Sequence, residues 1–285
     1  MQNSISCIVP LYGLLKNNNL YRFSLLIDSI CSAVSRIDTS LFELILINDN
    51  PDEDIEELIT DILSSKNANF LWYYYVNEKN IGQGATRNKG AAFSNNNYLH
   101  FIDQDDYISE NFYSEFVLNN NKILRDIYIY KPYFNIGDQN NKTIGITLLL
   151  KLIYNSSNKL SSLWGLLFSN IVYSPGQTIV LKEIVLKHGG FEILSNYGSD
   201  DYGLFYKLVF NDDLVYKYIN NAYFAYRIHP YQSSKNCNMD NSVNEFLSKN
   251  HPNTLKEQII HYLKLNNSFR MITKLMYVSL FKIGR

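Results

Sequence analysis

The chain has 285 residues, of which 46% are hydrophobic and 19% are charged, a composition typical of a packed globular protein and not of a disordered or collagen-like one. Lys and Arg number 26 and Asp and Glu number 27, for a formal charge of -1, so the molecule lacks the positive field that non-specific nucleic-acid binding requires. The three cysteines are too few and too scattered for a disulfide framework. With no secretory signal and no apolar run of about 18 residues, we expect a cytoplasmic protein without a membrane span.

The first part of the chain, residues 1–106, alternates short apolar runs with stretches of helical period, which predicts an α/β fold of βαβ units around a mainly parallel sheet. The predicted strands are Ile5–Pro10, Glu43–Asn48, Leu71–Val76 and Tyr98–Ile102, and the predicted helices are Leu20–Ser35, Asp52–Leu63 and Gln83–Phe93. Because each crossover is right-handed, the carboxyl ends of these strands share one edge of the sheet, where ligands of open α/β sheets bind.

Residues 107–235 have a looser pattern that predicts a mixture of helices and strands, and residues 236–285 are mainly helical in period. The elements predicted in the second stretch are helices at Glu110–Asn121, Lys182–Lys187 and Asp200–Phe210, strands at Asp126–Phe134 and Gly176–Leu181, and apolar runs at Leu214–Ile219 and Tyr223–Ile228. The third stretch has helical patterns at Val243–Leu265 and Ser268–Ile283. We therefore expect one domain in two halves, 1–106 and 107–235, followed by a C-terminal helical extension at 236–285.

The strongest local signal is the run Asp-Gln-Asp-Asp at 103–106, directly after the predicted strand Tyr98–Ile102. Carboxylates at these positions can converge on Mg²⁺ or Mn²⁺, which take oxygen ligands and keep positions open for diphosphate oxygens. An acidic turn that also caps the next helix is the alternative explanation of this run.

Two further motifs follow other predicted strands. Asp49, in Asn-Asp-Asn-Pro at 48–51, can accept hydrogen bonds from a nucleotide base, although an Asx turn before the proline explains the same residues. The glycine-rich stretch 80–90 lies at a loop-to-helix junction, where Arg87 and Lys89 can meet phosphate. A glycine-rich turn with a solvated helix face is the alternative, and taken alone the stretch favours it. The stretch is not a P-loop, since no Gly-Lys-Ser/Thr follows, and it does not come after the first strand as a dinucleotide fingerprint does.

Polar residues also mark two positions in the second half. Asp200 and Asp201 open a predicted helix, where they serve either as a helix cap or as functional acids. His229 ends an apolar run, a position that strengthens the case for a ligand role, with a packed or exposed histidine as the alternative.

Taken together, these motifs resemble the family-two GT-A glycosyltransferases of the bacterial polysaccharide type, in that family's order and spacing. The matching stretches are Ile8–Tyr12, Asn48–Asn50, Asn80–Gly82, Ala85–Gly90, Phe101–Asp106, Gly189–Phe191, Asp200–Asp201 and His229. The resemblance covers roughly residues 4–230. It implies a GT-A fold with a Rossmann-like central sheet, in which 1–106 binds the nucleotide sugar and 107–235 binds the acceptor and carries out catalysis.

The resemblance also implies roles for residues of the first half. Pro10 and Tyr12 line the nucleotide pocket, and Asp49 hydrogen-bonds the uracil edge. Arg87 helps to hold the base or the ribose, and Asp103 contacts the ribose and the neighbouring sugar-diphosphate groups. Because the family's usual Asp-Asp-Gly-Ser turn is Asn-Asp-Asn-Pro in this chain, Asp49 is the only carboxylate left for the base contact.

The remaining implied roles concern the metal and the catalytic base. Asp105 binds the Mn²⁺ or Mg²⁺ ion that bridges the diphosphate, and His229 matches a histidine that in some members reaches the metal or the diphosphate. Asp201 matches the general base of the family's paired acids. That pair usually reads Glu-Asp with another acid two places on, whereas this chain has Asp-Asp-Tyr-Gly at 200–203, so Asp200 is kept as the second choice for the base.

The implied function is the inverting transfer of a hexose or an N-acetylhexosamine from a UDP-sugar to a glycan acceptor, which we expect to be a lipid-linked oligosaccharide in bacterial O-antigen, lipopolysaccharide or capsule synthesis. Two alternatives stay open. A nucleotidyltransferase would also use a metal and carboxylates on an α/β sheet, but the residues after the first strand offer little of the glycine-rich, basic loop that it usually needs. An inactive family member would bind nucleotide or glycan without turnover, but it would have no need of the retained Asp105, Asp201 and His229.

The C-terminal segment 268–285 carries four cations and no acid among many bulky apolar residues. In a helix, its apolar side chains fall along one broad face. The segment is therefore either a closing helix packed on the domain or an amphipathic helix lying on the inner face of the plasma membrane. The second interpretation would make this cytoplasmic protein peripheral to the membrane and bring its active site to a lipid-linked acceptor.

Overall fold

The structure is a computed structural model, and it describes residues 3–136, 140–142, 172, 174–194, 200–209, 214–231 and 239–249. The strands in these ranges are β1 (Ile5–Leu11), β2 (Phe42–Asn48), β3 (Leu71–Val76), β4 (Tyr98–Phe101), β5 (Tyr107–Ile108), β6 (Ile127–Ile136), β7 (Asn140–Lys142), β8 (Thr178–Leu181) and β9 (Tyr216–Ile228). The helices are α1 (Asn19–Val34), α2 (Glu56–Ser65), α3 (Gln83–Phe93), α4 (Phe112–Lys122), α5 (Lys182–Lys187), α6 (Asp200–Val209) and α7 (Met239–Lys249). Thr39–Leu41 and Pro175–Gln177 form short 3-10 helices.

The described strands form one sheet, in the order β3-β2-β1-β4-β8-β6-β9-β5, with β7 paired to β6. Strands β1 to β4 are parallel. Strand β8 runs antiparallel to both β4 and β6, so β6 points the same way as β4, and β9 is parallel to β6. The carboxyl ends of β1, β2, β4 and β9 therefore lie along one edge of the sheet, which we call the carboxyl edge.

Strands β1 and β2 are buried along their whole length and carry apolar side chains on both sides. Both faces of the sheet are therefore covered, and helices cover them. Cys7 and Val9 pack in one hydrophobic cluster with side chains of α1, α2 and α4. Ile8 packs in the other cluster with side chains of α3, α5, α6 and α7. A Cβ at Gly90 would lie 2.4 Å from Ile8 Cγ2, so this glycine lets α3 lie directly on β1, with its N-terminus at the carboxyl edge.

A buried histidine joins three elements in the interior of the sheet. His100, on β4, is fully buried, and its Nε2 lies 2.9 Å from the carbonyl oxygen of Gly176. Its Nδ1 lies 2.9 Å from the hydroxyl of Tyr113 on α4. Because a carbonyl can only accept, Nε2 carries the proton and Nδ1 accepts the hydroxyl. Burial lowers the pKa of His100 to about 4, so the imidazole is neutral in the folded protein.

One long strand forms where the sequence predicts two separate elements. The sequence predicts separate elements at Leu214–Ile219 and Tyr223–Ile228, but β9 contains the second run and most of the first. The pairing of β9 with β6 shifts register between Tyr130 and Lys131. The two asparagines between the runs are exposed and lie at this irregularity, so they interrupt the apolar pattern without ending the strand.

Other predicted elements differ from the structure mainly at their ends. The helix expected from Asp52 begins at Glu56, and the strand expected from Gly176 begins at Thr178, after a 3-10 turn. The short strands β5 and β7 were not predicted. The pattern Ser268–Ile283 and most of the preceding helical pattern lie outside the described residues. Of the helices that the structure describes, none is long and apolar enough to cross a membrane.

Candidate active site

The loops after β1 and β4 are joined at the carboxyl edge. Tyr12 follows β1 and is 55% exposed, whereas Pro10 is buried within the strand. The side chain of Gln104 accepts a hydrogen bond from the Tyr12 N–H and donates one to the Tyr12 carbonyl, both at 2.9 Å. The exposed ring of Tyr12 is therefore held beside the acidic turn 103–106.

Asp49 follows β2 and anchors the loop that leads into α3. Its Oδ1 accepts from the Ile81 N–H at 2.9 Å and from the side-chain amide of Asn77 at 2.8 Å. Its Oδ2 accepts from the N–H of Gly82 at 2.9 Å, and Gly82 has a φ of 86°, in the region that favours glycine. This anchoring role was not predicted from the sequence.

The two cations of the glycine-rich motif lie on different sides of α3. Lys89 Nζ donates to Oδ1 of Asn77 at 2.7 Å and lies 5.6 Å from the centre of the Phe93 ring. Two residues along a helix correspond to a rotation of about 200° about the helix axis, so their side chains leave the helix on nearly opposite sides. The two side chains therefore have different partners in the structure, and a contact of both with phosphate stays a prediction.

Carboxylate groups that could bind a metal ion lie close together in the acidic turn after β4. Carboxylate oxygens of Asp103, Asp105 and Asp106 lie within 4.8 Å of one another, and Asp105 Oδ2 lies 2.7 Å from His229 Nε2. Asp106 is buried, with Oδ1 accepting the Arg227 N–H at 2.8 Å and Oδ2 without a hydrogen-bond partner among the residues that the structure describes. Burial, with Asp105 and Asp103 nearby, raises the pKa of Asp106 well above its ordinary value. A divalent cation would offset this crowding of carboxylates, so these residues fit the metal that the sequence predicts.

Two residues of this turn region were not selected from the sequence. Asp106 was part of the acidic run but was assigned no role, although its buried Oδ2 lacks a hydrogen-bond partner within the described ranges. Arg227 Nε donates to the carbonyl of Asp105 at 2.7 Å, and its guanidinium lies 5.2 Å from the Tyr107 ring. Arg227 thus fastens the acidic turn to the end of β9. Its position two residues before His229 was the available signal, since alternate residues of a strand share a face.

Arg87 connects the acidic turn to the start of α6. Its side chain is 2% exposed, and its two terminal nitrogens lie 2.5 Å from Asp103 Oδ1 and 2.6 Å from Asp200 Oδ2. Gln83, one turn earlier on α3, also donates to Asp103 Oδ1 at 2.7 Å. Burial opposes the charged guanidinium, but Asp103, Asp200 and Asp201 raise the pKa of Arg87 above its ordinary value. Arg87 is therefore a buried charged bridge, whereas the sequence predicted a direct contact with the base or the ribose.

The two acids at the start of α6 have different surroundings. Asp200 is held by Arg87, whereas Oδ1 of Asp201 accepts the N–H of Tyr202 at 2.8 Å. Burial and the adjacent Asp200 raise the pKa of Asp201 to about 7, and Arg87 opposes this rise. A carboxylate with such a pKa can take up a proton near neutral pH, as a general base must. The raised pKa of Asp201 is compatible with the predicted role as base, which stays a prediction.

The curled, mainly parallel sheet with its acids at the carboxyl edge places the protein among α/β proteins with the GT-A fold of glycosyltransferases. The sequence profile described as Glycosyl transferase family 2 matches residues 6–188, more than half of the chain. The chain belongs to this family, as the sequence motifs predicted.

Individual relatives agree with this assignment. The chain is 34% identical over 107 residues to a Rickettsia bellii protein described as an uncharacterized glycosyltransferase, and the match spans 38% of this chain but only 14% of that protein. In structure, the chain is similar to S. aureus TarS 1–349 in complex with UDP-GlcNAc, with a TM-score of 0.68 and 16% identity over 93% of this chain and 72% of that chain. The TarS 1–349 complex with UDP matches with a TM-score of 0.66 at the same identity and coverage. At this identity, the structural likeness shows the fold.

Proposed function

We propose that the protein is a metal-dependent, inverting glycosyltransferase that moves a hexose or an N-acetylhexosamine from a UDP-sugar to a hydroxyl group of a glycan. The observation that carries the proposal is the joining of the acidic turn to the acid pair of α6 through Arg87, in a chain of glycosyl transferase family 2. Support for a uridine donor comes from TarS, whose similar fold was crystallised with UDP-GlcNAc and with UDP.

The donor nucleotide occupies the carboxyl edge beside β1 and β2 in this proposal. The exposed ring of Tyr12 offers a surface for the base, with Pro10 forming the strand end behind it. Oδ2 of Asp49 accepts one protein N–H and can accept a further hydrogen bond. In the proposal, the uracil edge donates to this oxygen. Asp103 contacts the ribose, and Arg87 acts on the nucleotide by holding Asp103 in place.

Asp105 and His229 are the proposed metal ligands, with Asp106 as a third donor. The buried Oδ2 of Asp106, which has no hydrogen-bond partner in the described part of the chain, and the contact between Asp105 and His229 support this assignment. Bound there, Mn²⁺ or Mg²⁺ would supply positive charge to a leaving diphosphate. Arg227 holds the turn that carries these ligands, through the carbonyl of Asp105.

Asp201 is the proposed general base of an in-line displacement. The acceptor hydroxyl oxygen forms a bond to the anomeric carbon while its proton passes to the carboxylate of Asp201. The bond from that carbon to the diphosphate oxygen breaks, and the nucleoside diphosphate leaves with the bonding electrons. Attack from the face opposite the leaving group inverts the anomeric centre. A pKa of about 7 suits Asp201 to this proton transfer near neutral pH.

For the acceptor and the setting, the proposal rests on the family. We propose a lipid-linked oligosaccharide in bacterial surface-polysaccharide synthesis, reached by a cytoplasmic enzyme that lies at the inner face of the plasma membrane. Residues 1–106 then bind the donor, residues 107–235 bind the acceptor, and 236–285 form a helical extension.

A panel of nucleotide sugars tests this function. Each donor carries one label in the sugar and another in the nucleotide, and products are separated after incubation with glycan acceptors or with water. We expect sugar transfer or hydrolysis with release of UDP, and Asp201→Asn should reduce turnover by about 10²–10⁴ while UDP binding remains. Transfer of the nucleotide label would identify a nucleotidyltransferase, and UDP binding without turnover of any donor would identify an inactive family member.

A further inference from the structure

Helix α3 touches the start of α6 along one face. Gly84, Arg87 and Asn88 share that face, since residues three and four apart are neighbours on a helix. A Cβ at Gly84 would lie 2.8 Å from the carbonyl oxygen of Glu192 and 2.9 Å from Cβ of Asp200. Because Gly84 has no side chain, α3 can lie in close contact with Glu192 and with Asp200 at the start of α6.

Asn88 pairs with the backbone of the segment ahead of α6. Its Nδ2 donates to the Phe191 carbonyl at 2.9 Å, and its Oδ1 accepts the Phe191 N–H at 2.8 Å. Gly190 has a φ of 68°, and a Cβ there would lie 2.2 Å from Asn88 Oδ1, so glycine is needed both for the backbone conformation and for the space. From the other side, Lys207 of α6 donates to the Gly190 carbonyl at 3.0 Å. Gly190 and Phe191 are thus held by side chains of both α3 and α6.

The ion pair between Arg87 and Asp200 is the charged part of this contact. Arg87 is almost completely buried, and its Nε has no hydrogen-bond partner among the described residues. Its charge is balanced by Asp103 on one side and Asp200 on the other. Removing one partner of a buried ion pair leaves a charge uncompensated and costs far more than an exposed pair contributes. The position of Asp200, and of the next residue on α6, therefore depends on Arg87.

We infer that Asp200 is a positioning residue: its ion pair with Arg87, together with the paired hydrogen bonds of Asn88, forms a latch by which α3 fixes Asp201 for its reaction. This inference rests on the proposed function, because it takes Asp201 as the base. It gives the two acids separate tasks and links the donor-binding half of the sheet to the catalytic acid.

The latch also has an electrostatic consequence. The charged groups that act on Asp201 are Asp200 beside it, Arg87 on α3 and Asp103 after β4; Asp200 and Asp103 raise the pKa of Asp201, and Arg87 lowers it. Neutralising Asp200 removes a negative neighbour and leaves the positive one. The acidic limb of the rate against pH should therefore move to lower pH.

The test compares Asp200→Asn with Asn88→Ala and with a matched control, Asp28→Asn. The control breaks the 2.8 Å ion pair between Asp28 on α1 and Lys66, the residue after α2, away from the site. We expect Asp200→Asn to lower kcat about ten- to a hundredfold, to leave the donor KM within about twofold, and to shift the acidic limb downward. Asn88→Ala should lower kcat without moving the limb, because an amide carries no charge. The control should match the unsubstituted protein.

Amide hydrogen exchange in α6, measured without any substrate, gives a second readout. Both latch variants should speed exchange in α6, and Asp28→Asn should not. Unchanged kcat and unchanged exchange in Asp200→Asn would overturn the latch. Complete loss of the acidic limb in Asp200→Asn would also overturn it, because Asp200 would then be the base itself. If the unsubstituted protein transfers no sugar, the proposed function fails, and hydrogen exchange alone still decides whether the latch exists.

Discussion

The buried imidazole of His100 should make the stability of the fold depend on pH. The side chain is neutral in the folded protein, because burial lowers its pKa to about 4 from an ordinary value of 6.5. Above pH 6.5 neither the folded nor the unfolded state holds the proton. Below pH 6.5 His100 takes up a proton in the unfolded chain but not in the folded protein. The free energy of unfolding therefore falls as the pH falls from 6.5 towards 4.

The size of this loss follows from the two pKa values of His100. They differ by about 2.5 units, and one unit corresponds to about 1.4 kcal/mol, so the free energy of unfolding should fall by about 3 kcal/mol once the pH is below 4. Between pH 7 and pH 5 the expected loss is about 2 kcal/mol. Other carboxyl and histidine groups also titrate in this range, so a single protein would not isolate the effect.

The assay is urea unfolding of the unsubstituted protein and of His100→Gln at several pH values between 7.5 and 4.5. Gln can still donate to the Gly176 carbonyl, but it does not titrate, and all other groups are common to both proteins. The variant should be the less stable protein at pH 7.5 because its packing is poorer. The difference should then shrink by about 2 kcal/mol by pH 5. If the two proteins lose stability in parallel as the pH falls, the argument from burial is wrong.

Three further predictions concern the site and the C-terminal segment. Mn²⁺ should strengthen UDP binding in calorimetric titrations, and Asp105→Ala should remove this increase; equal UDP affinity with and without the metal in the unsubstituted protein would refute the metal assignment. The transfer rate should fall up to tenfold per pH unit below pH 7, because protonation of Asp201, whose pKa is about 7, removes the base, and a flat profile between pH 5 and 7 would exclude this role. A chain that ends at Asn267 should stay folded and bind UDP but no longer sediment with anionic liposomes, and failure of the full chain to sediment at low salt would assign 268–285, outside the described residues, to the domain instead.

The sequence by itself determined the parallel first half of the sheet and the family. Short apolar runs separated by stretches of helical period specify their elements locally, and right-handed crossovers then place Asp49 and the 103–106 turn at one edge. The acids at 200 and 201 were recognisable for the same reason, since a helix start is a local signal. These features need no knowledge of which distant residues meet.

The tertiary structure alone decided what those acids contact. Arg87 meets Asp200, 113 positions along the chain. One carboxylate oxygen of Asp106 accepts the N–H of Arg227 on β9, and the other has no hydrogen-bond partner among the described residues. The raised pKa of Asp201 depends on its burial and on the charges of residues on α6, on α3 and after β4. Burial and long-range electrostatics are sums over neighbours that the fold brings together, so no local pattern in the sequence contains them.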